Sequence, residues 1–416
     1  MFCFILNVIK WKAGMINAVN VNVFQNRHSI AQKRHVAFKG LNNIAGDVMV
    51  IAGKETKAKI FTNNVNYQTL AQIKSICSHP VFRDIPVRIM PDTHAGKNAV
   101  VGFTAPISPT GDIIPSLISG DIGCGMLCVK LDTQGQNLDY KKLDSVINNY
   151  LIDARKEKPV SFTKNVKNID KPVNDFFKYK YKRSSEESMD SLGTLGGGNH
   201  FIEIDTDKLG NNYLVIHTGS RKFGKEVYNY HQQIAQRQNP YKIKDWSYLS
   251  GDEAKSYLED MQVATKFSQV NRRIIADEIL KRMGWKELES FESIHNYISK
   301  EGMIRKGAIS SEKGKKVLIP LNMRDGAIIA EGKGNSDWNF SAPHGAGRQF
   351  SRSEASELIS IDDYKESMNG IYSSCISPST VDESPLAYKD ANEIINNIGE
   401  TVDIKDIIKP KYNYKN

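Results

Sequence analysis

Cysteine is scarce in this chain of 416 residues: there are five, an odd number without close, regular spacing. That excludes a disulfide-stapled secreted scaffold and fits a reducing cytoplasm. Long apolar runs are missing too. The most apolar terminal stretch, Met1 to Lys10, is too short to span a bilayer. It also lacks the basic leader and small-residue cleavage site of a secretory signal. Residues 1–15 therefore read as a non-native or disordered extension, with Met15 as an alternative start, and the rest as soluble protein with no membrane association. No internal repeat is visible. Negative charge is in deficit: 56 Lys and Arg stand against 47 Asp and Glu, a net charge of +9. Such a balance suits a polyanionic partner such as RNA or DNA, or else a merely solvated basic surface.

Short apolar runs, among them Ala99-Val100-Val101-Gly102-Phe103 and Tyr213-Leu214-Val215-Ile216, have the composition of buried strands. They alternate with helical patterns, which predicts a mixed α/β fold. The clearest helix is expected to open at Ser250, with Glu253 completing a capping box. An apolar stripe follows from Tyr257 through Met261, Ala264 and Phe267 to Ile274 and Ile275, and Gly284 is the natural stop. Residues 155–183 are lysine-rich and contain Phe176-Phe177-Lys178-Tyr179-Lys180-Tyr181-Lys182-Arg183. Interleaved cations and rings can follow an RNA backbone while stacking on bases, or the rings can pack locally in a solvated insertion.

Five of the nine histidines stand beside Gly, Asn or Asp. His94 lies in Pro91-Asp92-Thr93-His94-Ala95-Gly96. His200 ends Gly196-Gly197-Gly198-Asn199-His200, and His217 closes an apolar strand before Thr218-Gly219-Ser220-Arg221. His295 precedes Asn296, and His344 opens His344-Gly345-Ala346-Gly347-Arg348. Gly120-Asp121-Ile122-Gly123-Cys124-Gly125 places a carboxylate and a thiol three residues apart. Donors at strand ends and in glycine turns converge readily, so a buried metal site is expected. Cysteine with histidine suits zinc, while a carboxylate with positions open to phosphate oxygens also suits manganese. His344 has a separate potential: neutral imidazole is a competent nucleophile toward phosphorus, with glycine N–H groups and the Arg348 fork beside it. Cys3, Cys77, Cys128 and Cys375, and His28, His35, His79 and His231, lack such settings.

These blocks, together with Phe201-Ile202-Glu203, His295-Asn296-Tyr297 and Arg305-Lys306-Gly307-Ala308, resemble the RtcB RNA-splicing ligases, in the family's order from about residue 40 to the C-terminus. The resemblance implies a single-domain mixed α/β fold over 16–416, built around a central metal and nucleotide site. It implies Mn²⁺, as two ions, and GTP as cofactors. Its substrate is RNA: a 3′-phosphate or 2′,3′-cyclic phosphate end is joined to a 5′-hydroxyl end in tRNA splicing or RNA repair. Asp121, Cys124, His200, His217 and His295 would be the metal ligands, and His344 the residue that becomes guanylylated. Asp92 would serve the opening of a cyclic phosphate by water. Asn199, Phe201 and Glu203, then Pro320, Asn322 and Met323, then His344, Gly345, Ala346 and Gly347, and finally Tyr388 and Lys415, would contact GTP. Arg221, Arg305, Arg348 and Arg352 would contact RNA phosphates. A cytoplasmic location follows, and an activating protein partner is left open.

The chain departs from the family in places. Ile319-Pro320-Leu321-Asn322-Met323-Arg324-Asp325-Gly326 replaces the family's Ile-Pro-Gly-Ser-Met-Gly, which alters a nucleotide-contacting turn. Gly96-Lys97-Asn98 replaces Gly-Tyr-Gly, and Ile294 stands where a second histidine is common. A divergent branch is the reading that fits. Two alternatives are a metal-dependent RNA terminal phosphoesterase, which needs neither His344 nor Lys415, and a non-catalytic RNA-binding protein.

Overall fold

β-branched and aromatic runs bounded by glycine and asparagine form the strands of two sheets and a short ribbon. In a computed structural model, residues 48–133, 136–152, 166 and 169–415 are described. The expected extension at 1–15 lies outside them, as do residues 155–165 and 167–168 of the basic stretch.

The first sheet contains β1 (Met49–Ala52), β2 (Lys57–Ile60), β3 (Val87–His94), β4 (Val101–Pro106), β9 (Asn296–Ile298) and β10 (Met303–Lys306), in the order β1-β2-β3-β4-β10-β9. The second contains β5 (Gly125–Asp132), β6 (Phe201–Thr206), β7 (Asn212–Thr218), β8 (Lys286–Ile294), β12 (Lys316–Asn322), β13 (Gly326–Gly332) and β15 (Val402–Lys415), in the order β12-β13-β15-β6-β7-β5-β8. β11 (Ala308–Ser310) pairs with β14 (Ser341–Pro343) as a ribbon. Only His295 separates β8 from β9, so the chain passes from one sheet to the other at that residue. β2 and β3 are parallel and the other named pairs antiparallel. The expected mixed α/β architecture is what the chain adopts.

The helix Gly251–Met283 carries its apolar stripe inward: Tyr257, Met261, Ala264, Phe267, Ile274 and Ile275 are buried, each contributing about 1.5–3 kcal/mol of transfer free energy for the larger side chains. Gly284 ends it in the left-handed conformation, φ 71°, with its N–H on Leu280 and Lys281 carbonyls. The expected capping box does not form. Ser250 is the N-cap by position, but its Oγ donates to Asp112 Oδ1 (2.5 Å) and accepts from Asn239 Nδ2 (3.1 Å). A tertiary bond outcompetes the local one.

The described part of the basic, aromatic stretch also answers to packing. Phe176–Tyr181 makes a π-helical turn in which Phe176 and Phe177 are buried; Phe176 is edge-on to Phe223 and Tyr230 of the helix Arg221–Gln238, and Phe177 is tilted against Phe223. Lys180 Nζ reaches Asp260 Oδ2 (2.5 Å) and Ser256 Oγ (2.8 Å). Of its rings, Tyr179 is exposed; the phenylalanines are core and are unavailable for base stacking. No helix among the described residues is long and apolar enough to cross a membrane.

Candidate metal and nucleotide site

Strand register collects the donors. Phe201 pairs with His217, which sets His200, one residue earlier, beside the end of β7. Gly125 pairs with Thr218 on one side and Ile294 on the other, so Cys124 enters between His217 and His295. The turn before β5 needs Gly123: its φ is 68°, and a Cβ would lie 2.5 Å from Ser268 Oγ and 2.7 Å from Thr265 Cα. Cys124 Sγ lies 3.2 Å from His217 Nε2 and 3.5 Å from His200 Nε2. His217 Nε2 lies 3.1 Å from His295 Nε2, and Asp121 Oδ1 is 4.0 Å from His200 Nε2.

Two ligand groups result, Cys124 with His217 and His295, and Asp121 with Cys124 and His200, sharing the thiol. The Nδ1 atoms of His200 and His217 donate to the carbonyls of Leu195 and Asn199, each at 3.0 Å. That fixes the tautomer and aims both Nε2 lone pairs inward. Burial drives the pKa values of His200, His217 and His295 down, with neighbouring histidines reinforcing the shift for the last two. Converging lone pairs of neutral imidazoles repel one another, and a cation resolves that repulsion. Burial, with Asp121 adding to it, raises the Cys124 thiol well above its ordinary pKa, and metal coordination is what deprotonates such a thiol. The donor set therefore fits a thiophilic or borderline divalent ion, and the shared sulfur allows two.

His94 and His344 fall outside both groups, although their glycine settings resembled those of the other three. His344 follows β14. Its Nδ1 lies 2.6 Å from Asp92 Oδ2, its backbone N–H donates to the same oxygen (3.1 Å), and its ring is 4.6 Å from that of His295. Gly347 permits the turn: φ is 76°, and a Cβ there would lie 2.1 Å from the Asp92 carbonyl. Asp92 is fully buried behind His344. Its carboxylate holds the imidazole through Nδ1.

A cleft of about 610 Å³ opens beside these groups. Asn199, Phe201, Glu203, Pro320, Asn322, Met323, His344 to Gly347, Tyr388 and Lys415 all line it, as do Arg348 and Arg352. β15 runs between β13 and β6, pairing Lys415 with Phe201 and Asn413 with Glu203. Glu203 is buried and accepts from Asn413 Nδ2 at 2.5 Å; burial pushes it up to about 7, against the pull of Asn413 and Lys415. Asn322 serves the turn: its Oδ1 accepts from the N–H groups of Arg324 (3.0 Å) and Asp325 (2.9 Å), and its Nδ2 donates to Asp325 Oδ2 (2.8 Å). Leu321 is buried in the apolar cluster that also contains Val317, Ile328 and Ile394.

The arginines divide. Arg221 lies over Gly196, where a Cβ would be 1.7 Å from Nη1, with its Nε on Thr194 Oγ1 at 3.2 Å. Arg348 and Arg352 are engaged with carboxylates: Arg348 Nη1 lies 3.2 Å from Glu383 Oε1, and Arg352 Nη1 reaches Asp382 Oδ2 (2.5 Å) and Glu383 Oε1 (2.6 Å). Arg305 does not reach the cleft. It is 1 % exposed and bonded to Ser341 Oγ, Tyr297 OH and the Phe340 carbonyl, an internal strut.

Two residues escaped the sequence reading. Lys306, next to Arg305 on β10 and so on the other face, feels Asp121 and Cys124 and donates to the Ile118 carbonyl at 3.1 Å; the alternation of a strand was the available signal. Glu383 gathers Lys415 Nζ (2.8 Å), Tyr388 OH (2.5 Å), Arg348 and Arg352. Burial raises its pKa, but Lys415, Arg352 and Arg348 outweigh burial and hold it at about 2. Nothing in the spacing of the acidic tail announced that.

The fold is mixed α/β, with a shared-thiol Cys/His/Asp cluster that could hold a metal ion and an oriented histidine at the mouth of a polar cleft. The family model described as tRNA-splicing ligase RtcB matches residues 72–179 and 167–416, and the chain belongs to that family. It is similar to the RNA-splicing ligase RtcB of Escherichia coli (strain K12), 30% identical over 356 residues covering 76% of this chain and 86% of that protein. It is also similar to the tRNA-splicing ligase RtcB of Nanoarchaeum equitans (strain Kin4-M), 24% identical over 443 residues, 84% of this chain and 89% of that one.

Proposed function

We propose that this protein is an RNA ligase that seals a 3′-phosphate or cyclic phosphate end to a 5′-hydroxyl end, consuming GTP through a guanylylated His344. The observation that carries the reading is the Asp92–His344 pair set beside the Cys/His cluster at the cleft. Asp92 takes the Nδ1 proton of His344 as a hydrogen bond, which leaves Nε2 unprotonated as the nucleophile toward the α-phosphorus of GTP. Pyrophosphate leaves, and His344 carries GMP as a phosphoramidate. The GMP passes to the RNA 3′-phosphate, and the 5′-hydroxyl then displaces it.

Cys124, His217 and His295 would hold one manganese ion, and Asp121, Cys124 and His200 a second. Such ions supply Lewis-acid stabilisation of charge on phosphoryl oxygens. Lys306 and Arg221, near the cluster, add fixed positive charge. Glu203 and Asn199 offer polar contacts to the base, Phe201 its ring, and Lys415, paired to Phe201 in register, a cation beside it. The phosphoesterase alternative leaves the Asp92–His344 geometry without a purpose.

Purified protein incubated with α-labelled GTP and Mn²⁺ should retain acid-labile label on a denaturing gel, and His344→Ala should retain none. Label on both proteins, or on neither, would defeat the guanylylation reading.

A further inference from the structure

Behind the cleft wall stands a carboxylate that the proposed reaction does not use. Glu383 closes the short turn Val381–Glu383 and is 2% exposed. Four cleft-lining side chains converge on it from separate parts of the chain: Arg348 after β14, Arg352 opening the helix Arg352–Leu358, Tyr388, and Lys415 at the end of β15. They sort by oxygen. Oε2 takes Lys415 Nζ (2.8 Å) and Tyr388 OH (2.5 Å). Oε1 takes Arg348 Nη1 (3.2 Å) and Arg352 Nη1 (2.6 Å). The pair on Oε2 is the pair expected to contact GTP, and the pair on Oε1 is expected to contact RNA phosphates.

The two oxygens have different consequences. A lysine on its flexible stem loses rotamer freedom when a ligand fixes it. Oε2 fixes Lys415 in advance, with Nζ 5.6 Å from the centre of the Phe201 ring, and leaves it further N–H groups for a nucleotide. The Tyr388 hydroxyl donates to the same oxygen, so that ring is set as well. A guanidinium fork, by contrast, suits carboxylate and phosphate alike. On Arg348, Oε1 therefore takes the place open to a phosphate oxygen. The other Arg348 donors go to the Phe350 and Asp382 carbonyls, which leave its charge uncompensated once residue 383 is neutral. Arg352 also holds Asp382 Oδ2 at 2.5 Å, so it stays restrained without Glu383. Burial favours the neutral acid, but Lys415, Arg352 and Arg348 hold Glu383 at about 2, and its charge is present throughout the neutral range.

We propose that Glu383 is a two-sided positioning residue: Oε2 presets Lys415 and Tyr388 for the nucleotide, while Oε1 withholds Arg348 from RNA phosphate. The inference rests on the ligase reading. Neutralising Glu383 then acts with opposite sign on two ligands, weakening GTP and strengthening RNA. A site that is merely loosened weakens both.

The test compares the full chain with its Glu383→Gln variant at neutral pH, at a temperature where circular dichroism shows both folded. In labelling with α-labelled GTP and Mn²⁺, Glu383→Gln should raise the GTP concentration for half-maximal rate about tenfold. The rate at saturation should stay the same, as it does when ground state and transition state lose binding equally. In titration of a 3′-phosphate single-stranded oligonucleotide without nucleotide, the slope of log affinity against log salt should steepen by about 0.7, one further phosphate. Tyr388→Phe, which leaves the carboxylate charged, should move only the GTP reading. Weaker binding of both ligands by Glu383→Gln, or a fall in the saturated rate matching the fall in GTP affinity, would overturn the proposal. An unchanged salt slope would overturn the restraint on Arg348, and unchanged GTP half-saturation the presetting of Lys415. Wild-type protein that takes no label would instead refute the ligase reading and the nucleotide half of the proposal, with the RNA titration still deciding the Oε1 half.

Discussion

His344 has one nitrogen committed to Asp92 Oδ2 at 2.6 Å, and a histidine so held has a single tautomer to offer. Asp92→Asn keeps the shape but loses the charge that stabilises the ring and can stabilise the wrong tautomer. Guanylylation measured in a single turnover should slow by about 100-fold or more, with metal content unchanged. An equal rate in the variant would mean that Asp92 is merely packed there. Cys124 has a different kind of leverage, because its sulfur belongs to both ligand groups. Cys124→Ala should therefore lower the bound manganese or zinc at both positions, read by elemental analysis after gel filtration, and full retention would remove the thiol from the site. At this scale much was legible in the sequence. Glycine-flanked donors advertise themselves because the flanking residues exist to place them. Arg305 was not legible: a cation beside a glycine looks alike whether it faces a ligand or, as here, a serine hydroxyl and a backbone carbonyl inside the fold.

β15 shows how an element can be both wall and lock. Its last residues pair with β6, and Lys415 ends in the cluster around Glu383. Glu383 is held at about 2, below its ordinary 4.5, because the cations Lys415, Arg352 and Arg348 outweigh the effect of burial. The sign follows from that direction: a carboxylate with a depressed folded pKa contributes stability that is complete above 4.5 and is lost as pH falls through 2. The lost amount is on the order of 3 kcal/mol. Urea midpoints measured between pH 5 and about pH 2 should fall steeply for the wild type. Glu383→Gln should start lower at neutral pH and fall less. Parallel curves would place the acid sensitivity elsewhere. The element scale is also where local reading lost to tertiary structure. Ser250 had the right neighbours for a capping box, yet Asp112, far away in sequence, took its hydroxyl. Phe176 and Phe177 sat among lysines like a stacking strip, yet Phe223 and Tyr230 claimed them. Neither partner could be known before the chain folded.

Across the whole molecule, the candidate site lies at the seam between the sheets. β8 hands over to β9 at His295, β5 begins and β7 ends beside it, and β3 and β14 bring Asp92 and His344 from the other side. Net charge is less informative than which cations are already spent. Arg348 and Arg352 sit on Glu383 and Asp382, so they add little to phosphate binding until those carboxylates move. Lys97 lines the cleft, and Arg221 and Lys306 lie near the cluster, none of them with a carboxylate within salt-bridge distance among the described residues. For a single strand each neutralised phosphate contributes a slope of about 0.7 in log affinity against log salt. Contacts from these residues alone predict a slope near 2, or an affinity loss of roughly 15-fold when salt rises fourfold. Titration of a labelled single-stranded RNA across that range reads the slope directly. A slope steeper by about 1.4 would mean that Arg348 and Arg352 also release Glu383 and Asp382 to take phosphate, and Glu383→Gln should then steepen the slope no further. A flat dependence would place RNA binding on contacts other than this charged seam.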